Sequence, residues 1–261
     1  MTRVAPASDA GVQVETIDQR PELDLSSVPA RSLSSALLRK VTRRLLGRVA
    51  SRRRSSDGRY VWNVGAVSNS LSPEADFRNY FEHRNIREII GAHVGRIGSA
   101  CELGCGYGRV LPVLTEIAGR VVGLERERHL LDIARRQLPD VELVNVQSLD
   151  EVDRHGPFDL IMTCTVLQHL PDAAARRVLE SVKRAAPRGW VLLVEKSGGP
   201  VADEGDVSSD RDFLSRSRDV SVFEEWMRPF VLVAVADRRL EATYPAIDGK
   251  LMLFGQRQRP Q

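Results

Sequence analysis

Cys101-Glu102-Leu103-Gly104-Cys105-Gly106-Tyr107-Gly108-Arg109 decides how the chain is read. Glycines recur at every second position, with a carboxylate two residues ahead of the first. The stretch lies between an apolar lead-in and the apolar run Val110-Leu111-Pro112-Val113-Leu114. A strand that stops at a glycine turn and restarts as a helix exposes bare backbone to a ligand. A dinucleotide fingerprint needs a further glycine three positions after the second, and Arg109 stands there instead. The order is Glu-x-Gly-x-Gly-x-Gly, and an acid beside the turn suits a cationic or amine-bearing ligand better than a pyrophosphate.

Outward from this turn the pattern alternates. Strands are expected at Ser99–Leu103, Arg120–Leu124, Val141–Val146, Phe158–Cys164 and Trp190–Glu195. Helices are expected between them at Arg109–Ile117, Arg128–Leu138 and Asp172–Ala186. Strands separated by helices imply a parallel, doubly wound α/β sheet. A helix from about Asp76 to His93 precedes the glycine turn, with Phe77, Phe81, Ile86, Ile89 and Ile90 as its apolar stripe. Beyond the fifth strand come a polar, acidic loop (198–218), a short helix Val222–Met227 stopped by Pro229, and two strands, Phe230–Ala236 and Lys250–Gly255, suited to an antiparallel edge pair. The expected fold is a mostly parallel seven-stranded sheet with an antiparallel edge pair and an N-terminal helical extension.

The 261 residues divide unevenly. Residues 1–30, rich in Pro, Ala, Ser and Asp without periodicity, read as a disordered tail. Between Arg31 and Arg59 stand ten basic residues and one acid, a local charge of +9 against +3 for the whole chain. Leu33, Leu37, Val41 and Leu45 make that segment a basic amphipathic helix. It could cap its own domain, bind an anionic surface such as membrane or RNA, or remain a solvated extension. Residues 60–261 form the main domain, with a ligand-binding core at about 76–197 and a loop and edge strands at 198–256. No apolar run approaches the ~20 residues that span a bilayer. The acid-bearing N-terminus lacks a secretory signal core. Three cysteines without metal-ligand spacing read as structural, in a reduced, cytoplasmic setting. No metal site is expected, and Asp203-Glu204-Gly205-Asp206 lacks calcium-loop spacing. An arginine-dominated basic complement fits a GC-rich bacterial genome.

In open α/β sheets ligands sit beyond the carboxyl ends of the strands, so residues there are the informative ones. They are Gly104, Gly106 and Gly108; Glu125 with Arg126; Gln147-Ser148-Leu149; and Thr163-Cys164-Thr165 leading into Val166-Leu167-Gln168-His169-Leu170-Pro171-Asp172. Glu125, nineteen residues past Gly106, suits ribose hydroxyls.

Taken together, residues from about Asp76 to Glu195 resemble the class I, Rossmann-like S-adenosylmethionine-dependent methyltransferases. The resemblance rests on Glu102 to Gly108, Val121 to Glu125, Phe158 to Ile161 and Val166 to Asp172, in that order. It implies S-adenosyl-L-methionine as cofactor. It places Glu102, Gly104, Cys105 and Gly106 at the methionine end, and Glu125 and Arg126 at the ribose. Gln147, Ser148 and Leu149 would flank the adenine, and the backbone of Thr163 and Cys164 would meet the amino group. Family members often carry Asp where Ser148 stands, which leaves adenine recognition to backbone amides or the Ser148 hydroxyl. The implied reaction is methyl transfer to oxygen or nitrogen of a small molecule, sugar- or natural-product-like. An alcohol acceptor also needs a base, and His169, Glu195 and His83 are the candidates. The absence of an Asn-Pro-Pro-Tyr type of signature at Thr163–Val166 argues against nucleic-acid base amines. Two other readings stay open: an RNA or lipid-linked acceptor docked by residues 31–59, and a non-catalytic S-adenosylmethionine-binding or regulatory protein. Oligomeric state has no signature in the sequence.

Overall fold

The computed structural model describes residues 15–16, 73–198, 216–238 and 249–256. The basic segment 31–59, residues 60–72 and most of the acidic segment 198–218 lie outside the described residues, as does the expected tail apart from Glu15 and Thr16.

The first element is the two-residue strand β1 (Glu15–Thr16). Helix α1 (Pro73–His93) begins three residues earlier than expected, with proline in its first turn, where the missing N–H costs no hydrogen bond. The alternating unit follows: β2 (Ile97–Leu103), α2 (Leu111–Ile117), β3 (Ala118–Glu125), α3 (Arg128–Gln137), β4 (Glu142–Asn145), β5 (Leu160–Cys164), α4 (Asp172–Ala185) and β6 (Trp190–Glu195). Helix α5 (Val220–Met227) and strands β7 (Val231–Asp237) and β8 (Lys250–Gly255) complete it. Two short 3₁₀ helices, Leu149–Arg154 and Leu167–His169, had no counterpart in the expectation, because one or two turns are too short to show periodicity.

The strand order is β1-β7-β8-β6-β5-β2-β3-β4. Strands β4, β3, β2, β5 and β6 run parallel, and β8 is antiparallel to both β6 and β7. The seven expected strands and the antiparallel pair are present. The addition is β1, which pairs parallel with β7, so that Glu15 and Thr16 are strand rather than tail. The order reverses between β2 and β5, which puts the ligand crevice over the carboxyl ends of those two strands.

Strand alternation divides the core between the two faces. Cys101, Leu103, Ile161 and Leu193 pack with Val178, Leu179 and Val182 of α4 and Phe223 and Trp226 of α5. Ala100, Met162, Leu192 and Leu253 pack with Ile86, Ile89 and Ile90 of α1 and Val113 and Leu114 of α2. Trp226 is core, and Trp190 packs against the opposite cluster. Glu102 and Cys164, alternating with residues of the first face, therefore point to the α1–α2 side, whereas Thr163 and Glu195 point to the α4 side. That division separates two buried polar systems described next.

Candidate functional site

The turn after β2 is built by three glycines with positive φ: Gly104 (76°), Gly106 (56°) and Gly108 (86°). Gly104 and Cys105 both donate to the Leu124 carbonyl, at 2.7 and 3.1 Å, which draws the turn against the end of β3. A Cβ at Gly104 would lie 2.6 Å from Val166 Cγ2, so the turn also closes against the segment after β5. Around Gly106 nothing lies within 4 Å of where a Cβ would be. One glycine thus answers to packing and the other faces open space.

Glu125 ends β3. Its Oε2 accepts the Gly106 N–H at 2.9 Å, and its Oε1 accepts Arg126 N–H (2.7 Å) and Glu127 N–H (2.8 Å). A carboxylate offers about four acceptor positions, which leaves one on Oε2, beside the glycine turn, for a ligand hydroxyl. Asn145, which the sequence did not single out, donates to the Glu125 and Arg126 carbonyls at 3.0 and 2.8 Å and fixes this corner. The Arg126 side chain turns to Glu127 at 2.7 Å. Gln147 and Ser148 are exposed and Leu149 half-buried, forming a rim beyond β4. The Ser148 amide donates to Glu151 Oε1 at 3.1 Å, so this amide is already engaged.

Glu102 is buried to 2% exposure, and its Oε2 has no hydrogen-bond partner among the described residues. Burial pushes its carboxyl up to about 8, and Arg109 only partly offsets this. Buried polar atoms are nearly always paired. An orphaned carboxylate oxygen beside a glycine turn fits a ligand that brings a cation.

Around it lies a cluster that the sequence reading missed. Glu82 of α1 is fully buried and receives Arg109 Nη1, Arg238 Nε (2.8 Å) and Nη2 (2.5 Å), and the Cys164 thiol (3.2 Å). Burial raises its carboxyl, but the two guanidiniums outweigh that and hold it well below the usual range. Burial pushes the Cys101, Cys105 and Cys164 thiols up, and all three are free. The signal for Glu82 was available: it stands four residues before Ile86, on the apolar stripe of its helix. Arg238 had no such signal.

The three candidate bases fare differently. His83 Nε2 contacts the Arg109 carbonyl at 2.8 Å, so it donates there and fastens α1 to the glycine turn. Burial lowers its pKa. Glu195 is wholly buried and accepts from Thr163 Oγ1 (2.9 Å) and from Val166, Leu167 and Gln168 N–H (3.1 Å each). His83 thus gives its Nε2 to a carbonyl, and Glu195 gives its carboxylate to the turn after β5. His169, half-buried, sits on that same turn. Thr163 is buried, and the Cys164 carbonyl accepts the Thr165 hydroxyl at 2.7 Å, keeping its second lone pair. Thr165 itself has φ 58°, an uncommon value for a β-branched residue at the edge of a ligand crevice. Among the described residues no group of three or more His, Cys, Asp or Glu could hold a metal, and no helix is long and apolar enough to cross a membrane.

Residues 100–189 match a family model described as a methyltransferase domain. The chain carries a methyltransferase domain over these residues. A protein-L-isoaspartate O-methyltransferase from Azoarcus sp. is 27% identical over 127 residues, covering 45% of this chain and 58% of that relative. The chain thus spans less than two thirds of that relative's length. A solved S-adenosylmethionine-dependent methyltransferase from Clostridium acetobutylicum shares the fold, with TM-score 0.57 and 12% identity over 73% of this chain and 96% of that one. So does 1,6-didemethyltoxoflavin-N1-methyltransferase from Burkholderia thailandensis, solved with 1,6-didemethyltoxoflavin and S-adenosylhomocysteine bound. Its TM-score is 0.55 and its identity 18%, over 88% of this chain and 93% of that one. At such identities these structures establish the architecture of the methyltransferase domain. The named acceptors belong to those proteins.

Proposed function

We propose that the chain transfers a methyl group from S-adenosylmethionine to oxygen or nitrogen of a small-molecule acceptor, of the kind found among sugars and natural-product intermediates. The observation that carries this reading is the pair of carboxylates flanking the glycine turn, one with an orphaned buried oxygen and one with an acceptor position left at the turn. The match of residues 100–189 to a methyltransferase domain supports it.

In this reading Glu102 meets the methionine ammonium, together with the carbonyls of Thr163 and Cys164. The backbone of Gly104, Cys105 and Gly106 lines the methionine end. Glu125 and Arg126 take the ribose, and Gln147, Ser148 and Leu149 flank the adenine. The bound cofactor supplies a sulfonium, an already activated methyl donor. What remains for the protein is placement of the acceptor and exclusion of water, and placement alone accounts for much of such an acceleration. His169, on the turn after β5, is the residue assigned to the acceptor.

Calorimetric titration with S-adenosylmethionine, followed by a labelled-donor screen against small-molecule pools, tests the proposal. Binding with turnover on at least one pool is the expected result. Binding without turnover on any pool would favour a regulatory protein instead.

A further inference from the structure

Arg109 is the cation whose charge offsets the burial of Glu102, yet among the described residues no hydrogen bond or ion pair joins the two. Its guanidinium is engaged elsewhere. Nη1 donates to Glu82 Oε2 and to Asn79 Oδ1 (3.3 Å), and Nη2 donates to Cys164 Sγ (3.4 Å). Asn79 and Glu82 both belong to α1, so the helix holds the guanidinium from one side and the end of β5 holds it from the other. The Cys164 thiol and the Arg238 guanidinium in turn donate to Glu82 Oε1.

Two guanidiniums and one carboxylate leave this cluster with one positive charge in excess. Glu102 is the carboxyl that could balance it, but the hydrogen bonds go to Glu82. The Glu82 charge also discourages ionisation of Glu102, and burial and the Glu125 charge act in the same sense. The neighbouring Cys101, Cys105 and Cys164 thiols, pushed up by burial, bring no charge of their own.

We infer that Glu82 is a positioning residue: by holding the Arg109 guanidinium it keeps this cation off Glu102 and leaves that carboxyl open to the ammonium group of a ligand. The inference rests on the proposed reading, in which Glu102 meets the methionine ammonium. Its consequence is the release of a proton. At about pH 6.5 an α-amino group is charged, whereas Glu102, its carboxyl pushed up to about 8 by burial, still holds its proton in the empty site. As the ammonium arrives, the carboxyl O–H bond breaks, the proton passes to the buffer, and carboxylate and ammonium pair as opposite charges. Without the Glu82 charge, Arg109 turns to Glu102, which is then ionised and occupied before any ligand comes.

Calorimetric titration of the full chain with S-adenosylhomocysteine, in buffers of different ionisation enthalpy, counts the protons released on binding. At this pH about one proton is expected from the parent and close to none from Glu82→Gln, whose affinity falls about tenfold or more. Adding Arg109→Gln to Glu82→Gln removes the freed guanidinium and restores the release. A purely structural Glu82 would change affinity and leave the proton count alone. Equal release from the parent and Glu82→Gln, or none from the parent, overturns the inference. Infrared spectra of the ligand-free proteins read the same state without cofactor. The protonated-carboxyl band that disappears in Glu102→Gln is expected in the parent and missing in Glu82→Gln, and its persistence in Glu82→Gln overturns the inference. Should Glu82→Gln fail to melt cooperatively, Arg109→Gln takes its place. Its band and proton release should match those of the parent, whereas a larger release than the parent's means that Arg109 already serves Glu102 and overturns the inference. Loss of S-adenosylhomocysteine binding by the parent would instead overturn the proposed function, and the infrared spectra would still decide the role of Glu82.

Discussion

Glu82 of α1 and Arg109 at the end of the glycine turn form a buried ion pair, with side chains 1% and 13% exposed. Arg238 from beyond β7 joins the same carboxylate at 2.5 Å. One side chain thus ties the helix before the domain core, the glycine turn and the C-terminal strands together. Removing one partner of a buried pair costs about 3–5 kcal/mol, because the others are left charged and unmatched. Glu82→Gln is expected to lose stability of that order in chemical denaturation, whereas a reversal of the exposed Arg120–Glu142 pair should cost about 1 kcal/mol or less.

The same carboxylate sets an acid limit. Its folded pKa is depressed by Arg109 and Arg238 in spite of burial, so its stabilisation is full above the unfolded value of 4.5 and is lost as pH falls below it. The slope of stability against pH below 4.5 should be shallower in Glu82→Gln than in the parent chain.

Glu102 has the opposite sign. Its folded pKa is raised to about 8 from 4.5 by burial, so stability is full below 4.5 and declines as pH rises toward 8. Glu102→Gln should therefore raise the melting temperature of the ligand-free protein near pH 8–9, at about 2–4 °C per kcal/mol gained. It should at the same time weaken S-adenosylhomocysteine binding. A variant that is less stable at pH 9, or binds as well as the parent, contradicts the role given to this residue.

The two glycines of the turn separate packing from ligand approach. Gly104→Ala meets Val166 and a positive φ together, and is expected to destabilise measurably in denaturant. Gly106→Ala meets only the φ of 56°, a cost of about 1–2 kcal/mol. Its larger effect should appear in cofactor affinity, measured by calorimetry.

Glu195 fastens three amides, and hydrogen bonds to charged groups are worth about 1.5–3 kcal/mol each. Glu195→Gln keeps the shape but loses the charge. Exchange at the Val166, Leu167 and Gln168 amides should then accelerate by about tenfold or more, since 1.4 kcal/mol is a factor of ten. Unchanged exchange at these amides would remove Glu195 as the anchor of the turn.

The sequence made the sheet legible because β2, β3, β5 and β6 are short apolar runs separated by helices of clear period. It made the glycine turn legible because Glu102, Gly104, Gly106 and Gly108 occur in one stretch. Strand β1 was not legible: a two-residue strand has no pattern, and only pairing with β7 defines it. Nor was the Glu82–Arg109–Arg238 cluster, whose members lie 27 and 156 residues apart and meet only through α1 docking. The acid Glu82 on an apolar stripe was the one hint. The partners of Glu195 were not legible either, because a carboxylate at the end of a strand looks the same in sequence whether it meets a substrate or the amides of its own chain.

The most direct test of the account is calorimetric titration of the full chain with S-adenosylmethionine, compared with Glu125→Ala. One binding site is expected, weakened by about tenfold or more in the variant, the equivalent of 1.4 kcal/mol. No binding, or equal binding in both, would contradict the methyltransferase reading.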